Sequence, residues 1–180
     1  MHTDYTQKLH AGTKFPDITV TLHNGETTLL GMPENNHDWK LVVVYRGQHC
    51  PLCTKYLNQL ETIKASLVKT GVDMIAVSGD SKEQLESQLE KLDISFPIAY
   101  GLNTEQMKAL GVYISVPRSD KETDHPFAEP GLFVINAEGE VQVADISNNP
   151  FVRPELEALA NGLAWIRNPK NNYPVRGMHR

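Results

Sequence analysis

The 180 residues contain only two cysteines, Cys50 and Cys53. That is too few for a chain stapled by disulfides, and none is needed, because a domain of this length buries roughly 70% of the surface its unfolded form exposes. Positive charge is also in short supply. Lys and Arg number 17 against 22 Asp and Glu, a formal charge of -5, and no basic stripe marks a phosphate-binding face, so nucleic acid is excluded as an expected partner. No apolar run approaches the length of a membrane span, and Met1 to Lys8 lacks the apolar core of a secretion signal. Nothing repeats and nothing is of low complexity. These absences lead to the expectation of one cytoplasmic domain with no membrane partner. In the cytosol a close Cys pair serves catalysis, redox sensing or metal binding rather than stapling.

What is present alternates strand and helix. Asp17 to Leu22 alternates polar and apolar, Asn24-Gly25 is a two-residue turn signal, and Glu26 to Leu30 returns as a partner strand. Leu41 to Tyr45 is apolar without alternation, the mark of a parallel strand covered on both faces. From Cys50 onward Cys53, Leu57, Leu60, Ile63, Leu67 and Val68 recur at helical spacing until Gly71. A strand at Val72 to Val77 and a helix capped by Ser81 and Gln84, with Leu85, Leu89 and Leu92 buried, come next. Phe96 to Tyr100 reads as a short strand, and Asn103 with Gln106 caps a short helix ended by Gly111. Arg118 to Glu129 is polar and reads as a surface loop. Gly131 to Ile135 and Glu140 to Ala144 form a second hairpin across Ala137-Glu138-Gly139, and Pro154 opens a last helix over Leu156, Leu159, Leu163 and Ile166. A βαβ unit followed by a hairpin and a final helix describes an α/β thioredoxin fold, three layers with a mixed central sheet and an N-terminal β-hairpin extension. Its expected limits are an extension at 1–14, the domain at 15–167 and a polar tail at 168–180, strapped down in part by Tyr173.

Cys50-Pro51-Leu52-Cys53 stands where the buried strand turns into the first helix. Two intervening residues put the thiols about one helical turn apart, close enough for a small disulfide, with the attacking sulfur at the exposed helix start and its partner one turn inside. Free N–H groups and the helix dipole favour a thiolate at Cys50, and His49 strengthens that effect when protonated. Zinc is the competing use of His49, Cys50 and Cys53. Without a second Cys pair, and with the other histidines scattered, no metal site is expected. Arg46, at the carboxyl end of the central strand, is a candidate to support the thiolate electrostatically. His125 is a candidate base, although solvation suits it as well. Trp39, Trp165 and Tyr173 fit core or edge packing better than a substrate groove, and Asp120, Glu122, Asp124 and Glu129 read equally as a solvated face or as partner selection.

The run Val44-Tyr45-Arg46-Gly47-Gln48-His49-Cys50-Pro51-Leu52-Cys53, with Pro130-Gly131-Leu132-Phe133-Val134-Ile135-Asn136, resembles a peroxiredoxin-like AhpC/TSA domain over most of Phe15 to Ile166. In peroxiredoxins the peroxide-reducing cysteine closes a Pro-x-x-x-Thr-x-x-Cys motif, and an arginine precedes the strand that reads Gly-Leu-Phe here. Laid over this chain, Cys53 takes the peroxidatic position, Cys50 replaces the threonine, Arg46 the proline and Pro130 the arginine. The groups that would hold a peroxide and stabilise its breaking O–O bond are therefore replaced. The replacements match thioredoxins instead, in which a proline, cis in that fold, faces the CxxC and turns the backbone so that a substrate chain can pair beside it. The resemblance implies catalytic Cys50, Cys53, Pro130, Arg46 and His49, no cofactor, a disulfide or hydroperoxide substrate of protein or small-molecule nature, and a cellular dithiol as reductant. Three readings follow: a thiol–disulfide oxidoreductase, a thiol-dependent peroxidase, and a redox-sensing module without turnover.

Overall fold

Three strands without polar alternation form the centre of the molecule. In the computed structural model, which describes Tyr5 and residues 7–180, the chain runs through β1 (Thr19–Leu22), β2 (Thr27–Leu29), β3 (Trp39–Val44), α1 (Pro51–Lys69), β4 (Val72–Val77), α2 (Lys82–Leu89) and β5 (Ile98–Tyr100). It continues through α3 (Thr104–Leu110), β6 (Ile114–Ser115), β7 (Phe127–Ala128), β8 (Gly131–Ile135), β9 (Val141–Ile146) and α4 (Leu156–Arg167). Part of the expected 1–14 extension, including most of the Met1 to Lys8 segment's start, lies outside the described residues.

Seven strands make one mixed sheet in the order β2-β1-β5-β4-β3-β8-β9. Val42 of β3 lies between Ile75 of parallel β4 and Phe133 of antiparallel β8. Both faces of these strands are covered, which is why their sequences are apolar apart from Lys40 of β3 and Asp73 of β4, which pair with each other. Leu41, Val43 and Tyr45 point to a layer with Leu57, Leu60 and Leu67 of α1, Leu85 of α2 and Leu163 of α4. Val42, Val44, Ile75 and Val77 point the other way, onto Phe15, Ile18, and Met107 and Leu110 of α3. The result is the three-layer thioredoxin fold, with the β1–β2 hairpin added through antiparallel pairing of β1 with β5. Both expected capping boxes form, Ser81 with Gln84 and Asn103 with Gln106.

Three local expectations need correction. Val68 is exposed, since α1 turns it past the edge of the stripe. Pro154 does not open α4, whose N-cap is Glu155; its carboxylate accepts from the N–H groups of Glu157 and Ala158. The Arg118 to Glu129 segment is a surface loop only at its tip, because its root carries β7, paired with β6, and Phe127, Ala128 and Glu129 are buried. Its charges concealed this, because Glu129 is buried with a charged partner rather than in water. Among the described residues no helix is long and apolar enough to cross a membrane.

Candidate active site

β3 delivers the chain to the site, and Tyr45, Arg46 and Gly47 follow at its carboxyl end. Gly47 has φ +141°, and a Cβ there would stand 2.5 Å from Oδ1 of Asp80. This glycine therefore serves both a backbone conformation and a close approach. Asp80, fully buried beyond the end of β4, accepts the Gln48 N–H at 2.7 Å through Oδ2. Its Oδ1 lies 3.1 Å from Nε2 of His125, whose Nδ1 faces the Pro126 carbonyl. One carboxylate thus ties the loop leading to the cysteines to the 118–129 segment. Burial raises the pKa of Asp80, opposed by the Gln48 and His125 contacts.

Cys50 is the N-cap of α1, and its Sγ accepts the Cys53 N–H at 3.2 Å. Both cysteines are free thiols. Cys50 is 2% exposed and Cys53 0%, so the expectation of an exposed attacking sulfur is corrected: Cys50 sits at the floor of a mouth of about 450 Å³ lined by Arg46, His49, Leu52, Lys121, Glu122 and Phe151, among others. The Cys50 thiol is lowered to about 6, chiefly by the hydrogen bond from the Cys53 side chain, with the Cys53 N–H, Arg46 and Arg153 adding to it against burial. Cys53 is pushed up by burial and by the negative charge on Cys50. The pair therefore shares one proton, held by Cys53, and leaves a thiolate on Cys50 near neutrality.

Arg46 is held from three sides. Its Nε donates to Glu129 at 2.9 Å, its Nη2 lies 3.8 Å from Glu122, and its guanidinium sits 4.7 Å over the ring of Phe127. His49 does not play its expected part. Its ring lies edge-on to Phe127, both nitrogens are buried without partners, and burial together with Arg46 lowers its pKa to about 4, so it is neutral where Cys50 ionises. Pro130 is corrected as well. No peptide bond among the described residues is cis, and Pro130 lines a small gap with Tyr56, Arg153 and Pro154 instead of the Cys50 mouth. The backbone around it is already engaged: the Pro130 carbonyl accepts from Ser147, and the Glu129 N–H donates to Tyr113. An extended trans chain is what lets β8 run straight on from Glu129 into its pairing with β9.

The residue that sequence reasoning missed is Arg153. It reaches from the segment before α4 to place Nη2 2.7 Å from the Cys53 Sγ and Nη1 3.2 Å from the Leu52 carbonyl. It lies a hundred residues from the cysteines with no motif spacing, and its only local signal is its position between Pro150 and Pro154. Asp80 was missed for the same reason. Trp39 and Trp165 stay out of the site; each packs at the far end of its element, against Arg167 and Tyr173 respectively. Glu122 and Glu129 face Arg46, Asp124 accepts from Gln84, and Asp120 is exposed. Among the described residues no group of three or more His, Cys, Asp or Glu is placed to hold a metal ion.

Comparison with known proteins gives this geometry a family. Among solved structures the chain is similar to a peroxiredoxin-like protein from Aquifex aeolicus, at 18% identity over 87% of each chain with a TM-score of 0.71. It is similar to peroxiredoxin 6 of Arenicola marina, at 17% identity over 90% of this chain and 75% of that one, TM-score 0.72. Mycobacterium tuberculosis AhpC aligns at 15% identity over 91% and 96%, TM-score 0.71. Identities this low speak for a common fold. Comparison with curated proteins gives no match. The AhpC/TSA family model, however, matches residues 11–144, most of the chain and the Cys50 site apart from its contributions from the segment before α4, such as Phe151 and Arg153. That match accounts for a thioredoxin fold with thiol-dependent oxidoreductase or peroxidase chemistry as its activity class, and the chain belongs to the AhpC/TSA family.

Proposed function

We propose that the protein is a thiol–disulfide oxidoreductase in which Cys50 attacks and Cys53 resolves. The Cys50 thiolate displaces one thiolate from a substrate disulfide and forms a mixed disulfide. Cys53 then attacks the Cys50 sulfur, expels the second thiolate and leaves a Cys50–Cys53 disulfide, which a cellular dithiol reduces. The observation that carries this reading is the asymmetry of the pair, with Cys50 at the helix start lowered to about 6 and Cys53 pushed up beneath it. Arg46 supports the thiolate. The reducing cytosol is the compartment in which such a cycle runs.

A second reading, a thiol-dependent peroxidase, is favoured by the depth of the sulfurs and by the backbone at Pro130, whose carbonyl, like the Glu129 N–H, is already engaged and not open to a docked chain. A slim hydroperoxide suits such a mouth. Cys50 would attack the O–O bond to give a sulfenic acid and release an alcohol or water, and Cys53 would condense with it, releasing water. Turnover of a small disulfide and of a hydroperoxide, each with a dithiol reductant, separates the two. The first reading expects ready disulfide reduction that vanishes in Cys50→Ser, and a Cys50–Cys53 potential within roughly -270 to -120 mV. Fast, saturable hydroperoxide turnover with negligible disulfide reduction would replace it with the second. Loss of both, with thiols that still oxidise, would leave a redox-sensing module.

A further inference from the structure

The sulfur of Cys53 is surrounded by donors that a spectator thiol does not need. Arg153 Nη2 stands 2.7 Å from it, the Arg46 backbone N–H also faces it, and Cys50 is its hydrogen-bond partner. Arg153 is fixed in place, since its Nη1 donates to the Leu52 carbonyl, its guanidinium lies 4.9 Å over the ring of Tyr56, and the Tyr56 hydroxyl donates to the Pro154 carbonyl at 2.8 Å. We propose that Arg153 is a catalytic residue of the resolving step: it holds the Cys53 thiolate that forms once Cys50 has been capped by substrate. This inference rests on the reading that Cys50 attacks first.

Before attack, negative charge resides on Cys50, and Cys53 keeps its proton as the donor to that thiolate. Attack turns the Cys50 sulfur into half of a neutral disulfide. The acceptor for the Cys53 proton and the like charge that opposed a second thiolate disappear together, while Arg153 and the Arg46 N–H stay where they were. Cys53 now gives up its proton to the substrate thiolate that the first attack released. The new thiolate attacks the Cys50 sulfur, the Cys50–Cys53 bond forms as the bond from Cys50 to the substrate sulfur breaks, and the electron pair leaves on the substrate thiolate, which takes up a proton. An arginine that only clamped the start of α4 to α1 would make the same contacts but would not alter the timing of this step.

Stopped-flow reaction with dithiobis(nitrobenzoate) separates the steps, because attack and resolution each release one coloured thiolate. At a pH of about 8.5, where Cys50 stays ionised even without the contribution of Arg153 to its thiolate, the first release in Arg153→Met should stay within about threefold of wild type, while the second slows by roughly 10²-fold, the usual cost of losing one preorganised donor to a developing charge. Arg153→Lys should fall between the two, keeping charge but not the two-pronged geometry. A second measurement needs no turnover. With Cys50→Ser as background, the ultraviolet titration of Cys53 should move upward by at least about one pH unit when Arg153→Met is added, the equivalent of a weakened charge-assisted hydrogen bond. Unchanged second release together with an unmoved Cys53 titration overturns the proposal and makes Arg153 a clamp. A first release slowed by about 10²-fold in Arg153→Met, with Cys53 carrying the bound thiol, overturns instead the assignment of Cys50 as attacker.

Discussion

Replacing Cys53 with alanine removes the largest single support of the Cys50 thiolate, the hydrogen bond from the Cys53 side chain. The Cys53 backbone N–H, 3.2 Å from the Cys50 sulfur, survives the substitution. A hydrogen bond to a charged group contributes about 1.5–3 kcal/mol, and one pKa unit corresponds to about 1.4 kcal/mol. Cys50 should therefore rise from about 6 by about one to two units. The sign follows from a lowered value: the reactive thiolate is present above its pKa and is lost as pH falls through it. At pH 6 the thiolate fraction should drop from about one half to about a tenth or less, and iodoacetamide labelling of Cys50 should slow by roughly 5- to 50-fold. Cys53→Ser keeps a side-chain donor and should recover most of the loss. Mass spectrometry of the labelled peptide across pH 4 to 9 reads all three proteins. A Cys53→Ala profile superimposed on that of wild type would refute the shared-proton account. Preferential labelling of Cys53 in the wild type would refute the order of attack as well.

Other expectations concern the surroundings of the pair. His49→Phe should leave the Cys50 labelling profile unchanged, because a histidine held at about 4 carries no charge where Cys50 titrates; a shift beyond about half a unit would show that it does. Gly47→Ala should destabilise the fold by about 1–3 kcal/mol in urea denaturation, since the site demands a strained φ for any side chain and places the new methyl against Asp80. Asp73→Ala should cost about 3–5 kcal/mol by the same assay. It strands Lys40, only 2% exposed, whose ammonium donates to Asp73 at 3.0 Å. A double variant with Lys40→Met should regain much of that loss, and no recovery would argue against the stranded charge as its cause.

The parts of this protein legible in the sequence are those set by periodicity and local capping. β3, β4 and β8 announced themselves as apolar runs because both their faces are covered, and α2 and α3 through Ser81 and Asn103. The pairing of Cys50 with Cys53 was legible because two intervening residues at one strand end set the contact between them. Arg153, Asp80 and the Arg46–Glu129 pair were not, since each contact joins elements distant along the chain, and nothing near Arg153 in sequence mentions a cysteine. His49 and Pro130 show the opposite error. Adjacency suggested a protonated histidine, and position in the strand order suggested a cis proline. Burial against Phe127 and the pairing needs of β8 decide otherwise.

The 118–129 segment divides into an exposed tip and an anchored root, and the two answer to different constraints. The root, from Phe127 to Glu129, is tied through Arg46 to the thiolate and through β6 to the rest of the chain, so a change there is felt at the sulfur. The tip, Arg118 to Lys121, carries Arg118 and Lys121 onto the rim of the mouth and is exposed, while Glu122, Thr123 and His125 between tip and root are anchored inward. Residues can be exchanged or inserted at the tip with little effect on stability. What enters the mouth can thus be retuned over generations, by charge or by length, while the machinery beneath it stays as it is.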